Sequence, residues 1–188
     1  MSNGFQFNIR TQFSFTVDDE TLSCILAGIA AEQPESVNIT GFLQTKIFST
    51  EKKNHKHHNP KTSCNVVRLV PGQADFETIE DINRVEDVLN TLGVKFQKKA
   101  VIQISDIEPG VPGVINAIFG ALFCNVTVEA IYAAENTRLI LDVKTSDLTE
   151  ALAILNQPSP IPQCPKNCRP GTGKNCDPCD ACDWSKEK

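Results

Sequence analysis

Between residues 5 and 17, apolar and polar side chains alternate almost without a break. Phe5, Phe7, Ile9, Phe13, Phe15 and Val17 fall on one face, and Gln6, Asn8, Arg10, Gln12, Ser14 and Thr16 on the other. Successive side chains of a strand point to opposite faces, so this period of two predicts a long, half-buried strand. Asp18 or Asp19 then offers a helix N-cap. Leu22, Ile25, Leu26 and Ile29 recur at helical spacing, which predicts an amphipathic helix over 19–32, ended by Gln33-Pro34-Glu35. A second strand is expected over 36–48, with Val37, Ile39, Leu43 and Ile47 in alternation. A polar loop follows over 49–63, and a third strand over 64–70. Pro71-Gly72 turns the chain into a helix over 76–92, whose stripe is Ile79, Ile82, Val85, Val88, Leu89 and Leu92. Gly93 ends that helix. Val94 to Ile104 returns as a strand, with a break expected near Gln97-Lys98.

The same order then begins again. Ala100 to Ser105 reads as a strand and Pro109-Gly110-Val111-Pro112-Gly113 as a loop. Val114 to Phe123 reads as a helix apolar on most sides, and Val126 to Ala133 as a strand. Glu135 to Arg138 forms a hairpin turn and Leu139 to Lys144 a strand. Ser146 is expected to cap a last helix with the stripe Leu148, Ala151, Leu152 and Leu155. Strand–helix–strand–strand–helix–strand is the ferredoxin-like order. The expected fold class is therefore α+β: two tandem ferredoxin-like βαββαβ modules with antiparallel sheets, plus an irregular cysteine-rich tail. The expected divisions are 1–98 for the first module with its long 49–63 loop, 99–156 for the second, and 157–188 for a Pro-rich linker and tail. The second copy lacks a final strand of its own, or borrows one.

The segment Asp106-Ile107-Glu108-Pro109-Gly110-Val111-Pro112-Gly113, leading into Val114-Ile115, resembles the ACT domain, a small regulatory ligand-binding module. Asn125-Val126-Thr127-Val128, Leu139-Ile140-Leu141-Asp142-Val143 and Ser146-Asp147 continue that likeness. It is specific over 99–156 and holds over the first half only in the order of elements, because Asp18-Asp19-Glu20 stands there without a Pro-Gly pair. The resemblance implies a homo-oligomer whose modules pair side by side and bind a small effector, such as an amino acid, at the seam. Glycine lets the backbone approach a ligand, and free amides at a helix start hold a carboxylate. Asp106, Gly110 and Gly113, with Asn125 and Val126 from the facing strand start, are the ligand-binding residues so implied. Pro109-Gly110 also serves as a plain tight turn, and Gly113 as a place for close helix packing. A weaker resemblance, through Phe123-Cys124-Asn125-Val126, is to bacterial microcompartment shell proteins.

Charge and cysteine content narrow the role. A net charge of -5 over 188 residues argues against nucleic acid as the main partner. The longest apolar stretch, Val111 to Cys124, is interrupted by Pro112, Gly113, Asn116 and Gly120, so no membrane span is expected. Residues 1–6 lack the basic and apolar stretches of a secretory leader, so the chain is expected to be cytoplasmic or part of an intracellular assembly such as a spore. Cys24, Cys64 and Cys124 lie singly in apolar segments, where a thiol behaves as a small hydrophobe. Cys164, Cys168, Cys176, Cys179 and Cys182 crowd together, the last three as CxxCxxC. That spacing suits zinc or an iron–sulfur cluster, and equally suits disulfide cross-links in a structural assembly. His55, His57 and His58 form a weaker metal candidate, in a Lys-rich stretch that reads first as a solvated loop tip. No GxSxG, P-loop or GxGxxG pattern is present in the context it needs, so no enzyme is expected. The function classes left open are a non-enzymatic effector-binding regulator, a self-assembling structural protein, and a metal or iron–sulfur carrier.

Overall fold

The computed structural model describes residues 5–31, 36–48, 63–105, 107, 114–122 and 125–157. The loop over 49–62, most of the 106–113 loop, Cys124 and the tail from 158 onward lie outside them. Six strands and four helices follow the expected order: β1 (Gln6–Val17), α1 (Asp19–Ala30), β2 (Ile39–Phe48), β3 (Ser63–Pro71), α2 (Ile79–Thr91), β4 (Phe96–Ser105), α3 (Val114–Leu122), β5 (Val128–Ala134), β6 (Arg138–Val143) and α4 (Leu148–Leu155). All strand pairs are antiparallel, in the ring order β1-β3-β2-β5-β6-β4 returning to β1.

Two long strands organise the ring. β1 pairs with β4 over ten positions, from Gln6↔Ser105 to Phe15↔Phe96. The end of β1 near Val17 also pairs with β3, giving the ferredoxin-like order β4-β1-β3-β2 in the first half. The end of β4 near Ser105 also pairs with β6, so the second half reads β1-β4-β6-β5. Its fourth strand is thus the N-terminal part of β1. Phe5 and Phe7 pack against the second core, and Phe13 and Phe15 lie in the first. β4 runs without the break expected at Gln97-Lys98, because both residues stay in register with Ser14 and Phe13.

Helices cover the outside of the ring. Ile25, Ile29, Val85 and Leu89 close the first core over Phe13, Val67 and Leu69, all essentially inaccessible to water. Ile118, Leu122, Ala151 and Leu155 close the second over Ile102, Ile104 and Leu141. Burying one such side chain fully stabilises by about 1.5–3 kcal/mol. A third cluster of Val70, Val101, Tyr132 and Ile140 contains strand residues only and fills the inside of the ring. The ring closes between β2 and β5 at one bridge, Gly41↔Ala134. A Cβ on Gly41 would come within 3.0 Å of Ile140 and 3.3 Å of Tyr132, so glycine is what lets β2 approach there.

Several local expectations need correction. The β1 face carrying Arg10 and Gln12 is buried, not solvated, because it points into the ring, whereas Ile9 is exposed. The α2 stripe is narrower than its pattern: Ile79 is 61% exposed and Leu92 is also exposed. Ile79 is the first residue of α2, directly after the cap Thr78, and Leu92 is the C-cap after its last residue, Thr91, so both stand at the ends of the helix rather than in its buried middle. Thr78, one residue before Ile79, caps α2 through a reciprocal pair of hydrogen bonds with Asp81. Ser146 does not cap α4; it sits in a 3-10 turn, Thr145–Asp147, with its hydroxyl on Asp147. Cys24 is exposed on α1 and Cys64 half-buried, so Cys24 is not a core thiol.

Candidate functional site

Of the two strand-to-helix junctions, the first lies wholly among the described residues. In the first half, β1 passes straight into α1 through Asp18. The Thr21 amide donates to Asp18 Oδ1 at 2.7 Å, which holds that carboxyl below the ordinary carboxylate range. The start of α1 therefore already holds an anion, supplied by its own cap. Beside it, Asp19 accepts from Lys46 Nζ at 2.6 Å and from Asn65 Nδ2 at 2.7 Å, and its carboxyl is lowered first by Lys46 and then by Asn65. In the second half, eight residues separate Ser105, the end of β4, from Val114, the start of α3. Asp106, Gly110 and Gly113 all lie in the part of that loop outside the described residues.

Asn125 and Val126 are described. Their amides both donate to Leu122 O, at 3.0 and 2.9 Å, closing the C-terminal end of α3. Asn125 is exposed, while the Val126 side chain joins the second core. They lie at the end of the sheet opposite Ser105, since Val128 pairs with Val143 whereas Ile104 pairs with Leu139, and α3 runs its length between Val114 and Leu122. The five tail cysteines and His55, His57 and His58 lie outside the described residues. Among the described residues no cluster of three or more His, Cys, Asp or Glu side chains is placed to hold a metal ion, and no helix is long and apolar enough to cross a membrane.

The helix-free interior of the ring carries a polar assembly that sequence reasoning missed. Gln12 Nε2 donates to Asp142 Oδ2 at 2.9 Å, and Arg68 Nε donates to the same oxygen at 3.0 Å. Tyr132 donates its hydroxyl to Gln12 Oε1 at 2.7 Å. Lys99 bridges Glu129, at 2.5 Å, and Asp142. Burial, and then the Asp142 charge, push the Tyr132 hydroxyl well above its ordinary range, so it stays a donor. Desolvation lowers the Lys99 pKa, but the two carboxylates outweigh it and the net shift is upward. The pairs Arg68–Asp142 and Lys99–Glu129 balance, and the acid and base groups are tied to one another rather than to a cleft.

At the other end of the interior, Arg10 is only 2% exposed. Its guanidinium donates to Gln103 Oε1 at 2.7 Å and to the carbonyls of Pro71, Ala74 and Phe76 at 2.8, 3.3 and 3.2 Å. Glu77 accepts from the Thr11 amide at 2.9 Å and from its hydroxyl at 2.8 Å, and lies 3.5 Å from Arg10 Nε. The connection between β3 and α2 is thereby clamped onto the β1–β4 seam. The only sequence sign of this was an Arg and a Gln on an otherwise regular strand.

Asp147 takes the Thr127 amide at 2.9 Å, fixing the start of β5 to the start of α4. Its carboxyl lies below the ordinary range through Ser146 and then Thr127. Asp18, Asp19 and Asp147 thus all have folded values below the ordinary 3.8. A depressed carboxyl contributes stability above its unfolded pKa and loses it as pH falls through the folded one. The melting temperature is expected to drop between about pH 5 and about pH 3, and D18N/D19N/D147N to flatten that drop; equal slopes would contradict the assignment.

No family model matches this sequence, and no curated protein matches it. Solved structures do. A protein from Bacteroides thetaiotaomicron superposes with a TM-score of 0.53 at 16% identity, over 78% of this chain and 86% of the other. A structure of aspartokinase alpha and beta subunits superposes with a TM-score of 0.51 at 12% identity, over 84% of this chain and 98% of the other. At such identities the likeness concerns the fold, which is α+β, antiparallel and ACT-like. The likeness to microcompartment shell proteins finds no support.

Proposed function

We propose that this chain is a non-enzymatic regulatory protein of two ACT-like modules that binds one small effector per chain, of amino-acid type, as a homo-oligomer. The observation that carries this is the contrast between the two helix starts. Asp18 occupies the amides of α1, whereas α3 follows a Pro- and Gly-rich loop, a sequence suited to leaving amides free for a ligand carboxylate. The ACT-like fold supports it, as does the likeness to aspartokinase subunits. Asp106, Gly110 and Gly113 form the site on this proposal. Asn125 is contributed by a neighbouring module, since its own lies a helix length away.

A screen of amino acids and related metabolites against the melting temperature tests this. A ligand at 100 times its Kd stabilises by about 2.7 kcal/mol, a rise of roughly 5–10 °C for a chain of this size. Isothermal titration should give one site per chain, and Gly113→Val should abolish the shift. A screen that moves nothing, or two equivalent sites per chain, would sink the proposal.

A further inference from the structure

The ring is drawn together at one end and open at the other. β2 meets β5 only at Gly41↔Ala134, and β4 meets β6 only from Ile102 to Ile104. Towards Val17 and Phe96 these strands no longer pair among the described residues, and a groove of about 520 Å³ opens there. That is within the range of about 300–1,000 Å³ usual for small-molecule sites. Ser14, Thr16, Val66, Lys95 and Gln97 line it. Ser14 lies opposite Gln97 across the β1–β4 seam, and Thr16 opposite Val66 across the β1–β3 seam. Directly opposed residues have their Cβ atoms about 5 Å apart, so these groups converge on one small molecule.

The lining says what kind of molecule fits. It holds one cation, two hydroxyls, an amide and an aliphatic side chain, and no carboxylate. The interior network reaches its wall and sets one of those hydroxyls. Tyr132 donates to Gln12 Oε1, which turns Gln12 Nε2 onto Ser14 Oγ at 3.1 Å. Ser14 accepts there, so its own proton is left to be donated outward. Lys98 is committed to Glu86, and Lys99 to Glu129 and Asp142, whereas Lys95 makes no ion pair among the described residues. One ammonium balances one negative charge; a phosphate group, at about -1.5 to -2, would be left under-compensated. An amino acid would bring an ammonium that finds no carboxylate in the lining, and an unpaired charge is costly to desolvate. We propose that this groove binds a small hydroxy or oxo monocarboxylate. Its carboxylate sits on Lys95 and Ser14, its hydroxyl or oxo oxygen on Gln97 and Thr16, and its carbon chain against Val66. The site is separate from the proposed effector site and does not rest on it.

Two-dimensional NMR of the full chain, titrated with lactate, pyruvate and hydroxybutyrate at millimolar concentrations, tests this. Saturable shifts should gather on the amides of Ser14, Thr16, Lys95 and Gln97 for at least one of the three acids. Alanine, of the same size but carrying an ammonium, should bind there at least roughly tenfold more weakly. Lys95 is exposed, so its replacement leaves the fold and the melting temperature unchanged. Lys95→Gln should weaken the acid at least roughly tenfold, the loss of one charge-assisted hydrogen bond, and Lys95→Arg should retain it. Gly113→Val, which removes the proposed effector site, should leave this binding intact, so the two readings fail separately. No saturable shift from any of the three acids, alanine bound as tightly, an affinity unmoved by Lys95→Gln, or binding lost in Gly113→Val would each overturn the assignment.

Discussion

Asp142→Leu is expected to lower the unfolding free energy by about 3 kcal/mol, or roughly 6–12 °C in melting temperature. The Asp142 side chain is completely buried, and two cations lean on it. Removing one partner of a buried ion pair usually costs about 3–5 kcal/mol, because the remaining charge has neither water nor counter-ion. Arg68 and Lys99 retain 25% and 19% exposure, which places this case at the low end of that range. Gln12 loses its acceptor as well, and Tyr132 would reorient with it. Urea unfolding followed by circular dichroism reads the effect. A loss below about 1 kcal/mol would mean that water already reaches the ring interior and that the network is ornamental.

Gly72→Ala should be comparably damaging for a different reason. Gly72 has φ +91°, in the region that L side chains rarely adopt, and a Cβ there would meet Glu77 Cα and Phe76 O at 2.8 Å and Arg10 Nη2 at 3.0 Å. Two of those three neighbours are backbone, held in place by the Arg10 clamp, so the contact cannot be relieved by a rotamer change. The combined strain and overlap should cost about 2–4 kcal/mol. Gly93 provides the internal control. Its φ is +67°, but a Cβ there meets nothing within 4 Å, so Gly93→Ala should cost only about 1 kcal/mol. If the two substitutions prove equal in urea melts, the overlap at Gly72 is not what it seems.

The elements that short-range physics dictates were legible in the sequence. The α1 cap at Asp18, the positive-φ glycines at 72 and 93, and the Asn136–Thr137 hairpin tip with φ of 55° and 58° all follow from residues within a few positions of one another. What escaped depends on partners far along the chain. Arg10 finds Gln103 and Gln12 finds Asp142, contacts that no periodicity over a dozen residues can reveal. An alternating pattern says that a strand has two unlike faces; it does not say that the polar face meets water. Here it meets the opposite wall of the ring, and the polar side chains answer one another. Of the proposed effector site, the apolar helix and its position after a long loop were legible. The placement of Asn125 and Val126 a helix length away was not, because it follows from the direction of α3. Cys24 shows a limit of another kind: neighbours such as Leu22 and Ile25 are buried, yet the thiol falls on the helix side facing away from them.

β1 and β4 each begin in one half of the molecule and end in the other, side by side over ten paired positions. Neither half can let go of its outermost strand without stripping a strand from its neighbour, so partial opening of one half exposes hydrogen-bonding groups in both. The two lobes are bound to a common spine, and stiffening at one junction is carried to the other along unbroken backbone rather than across a hinge.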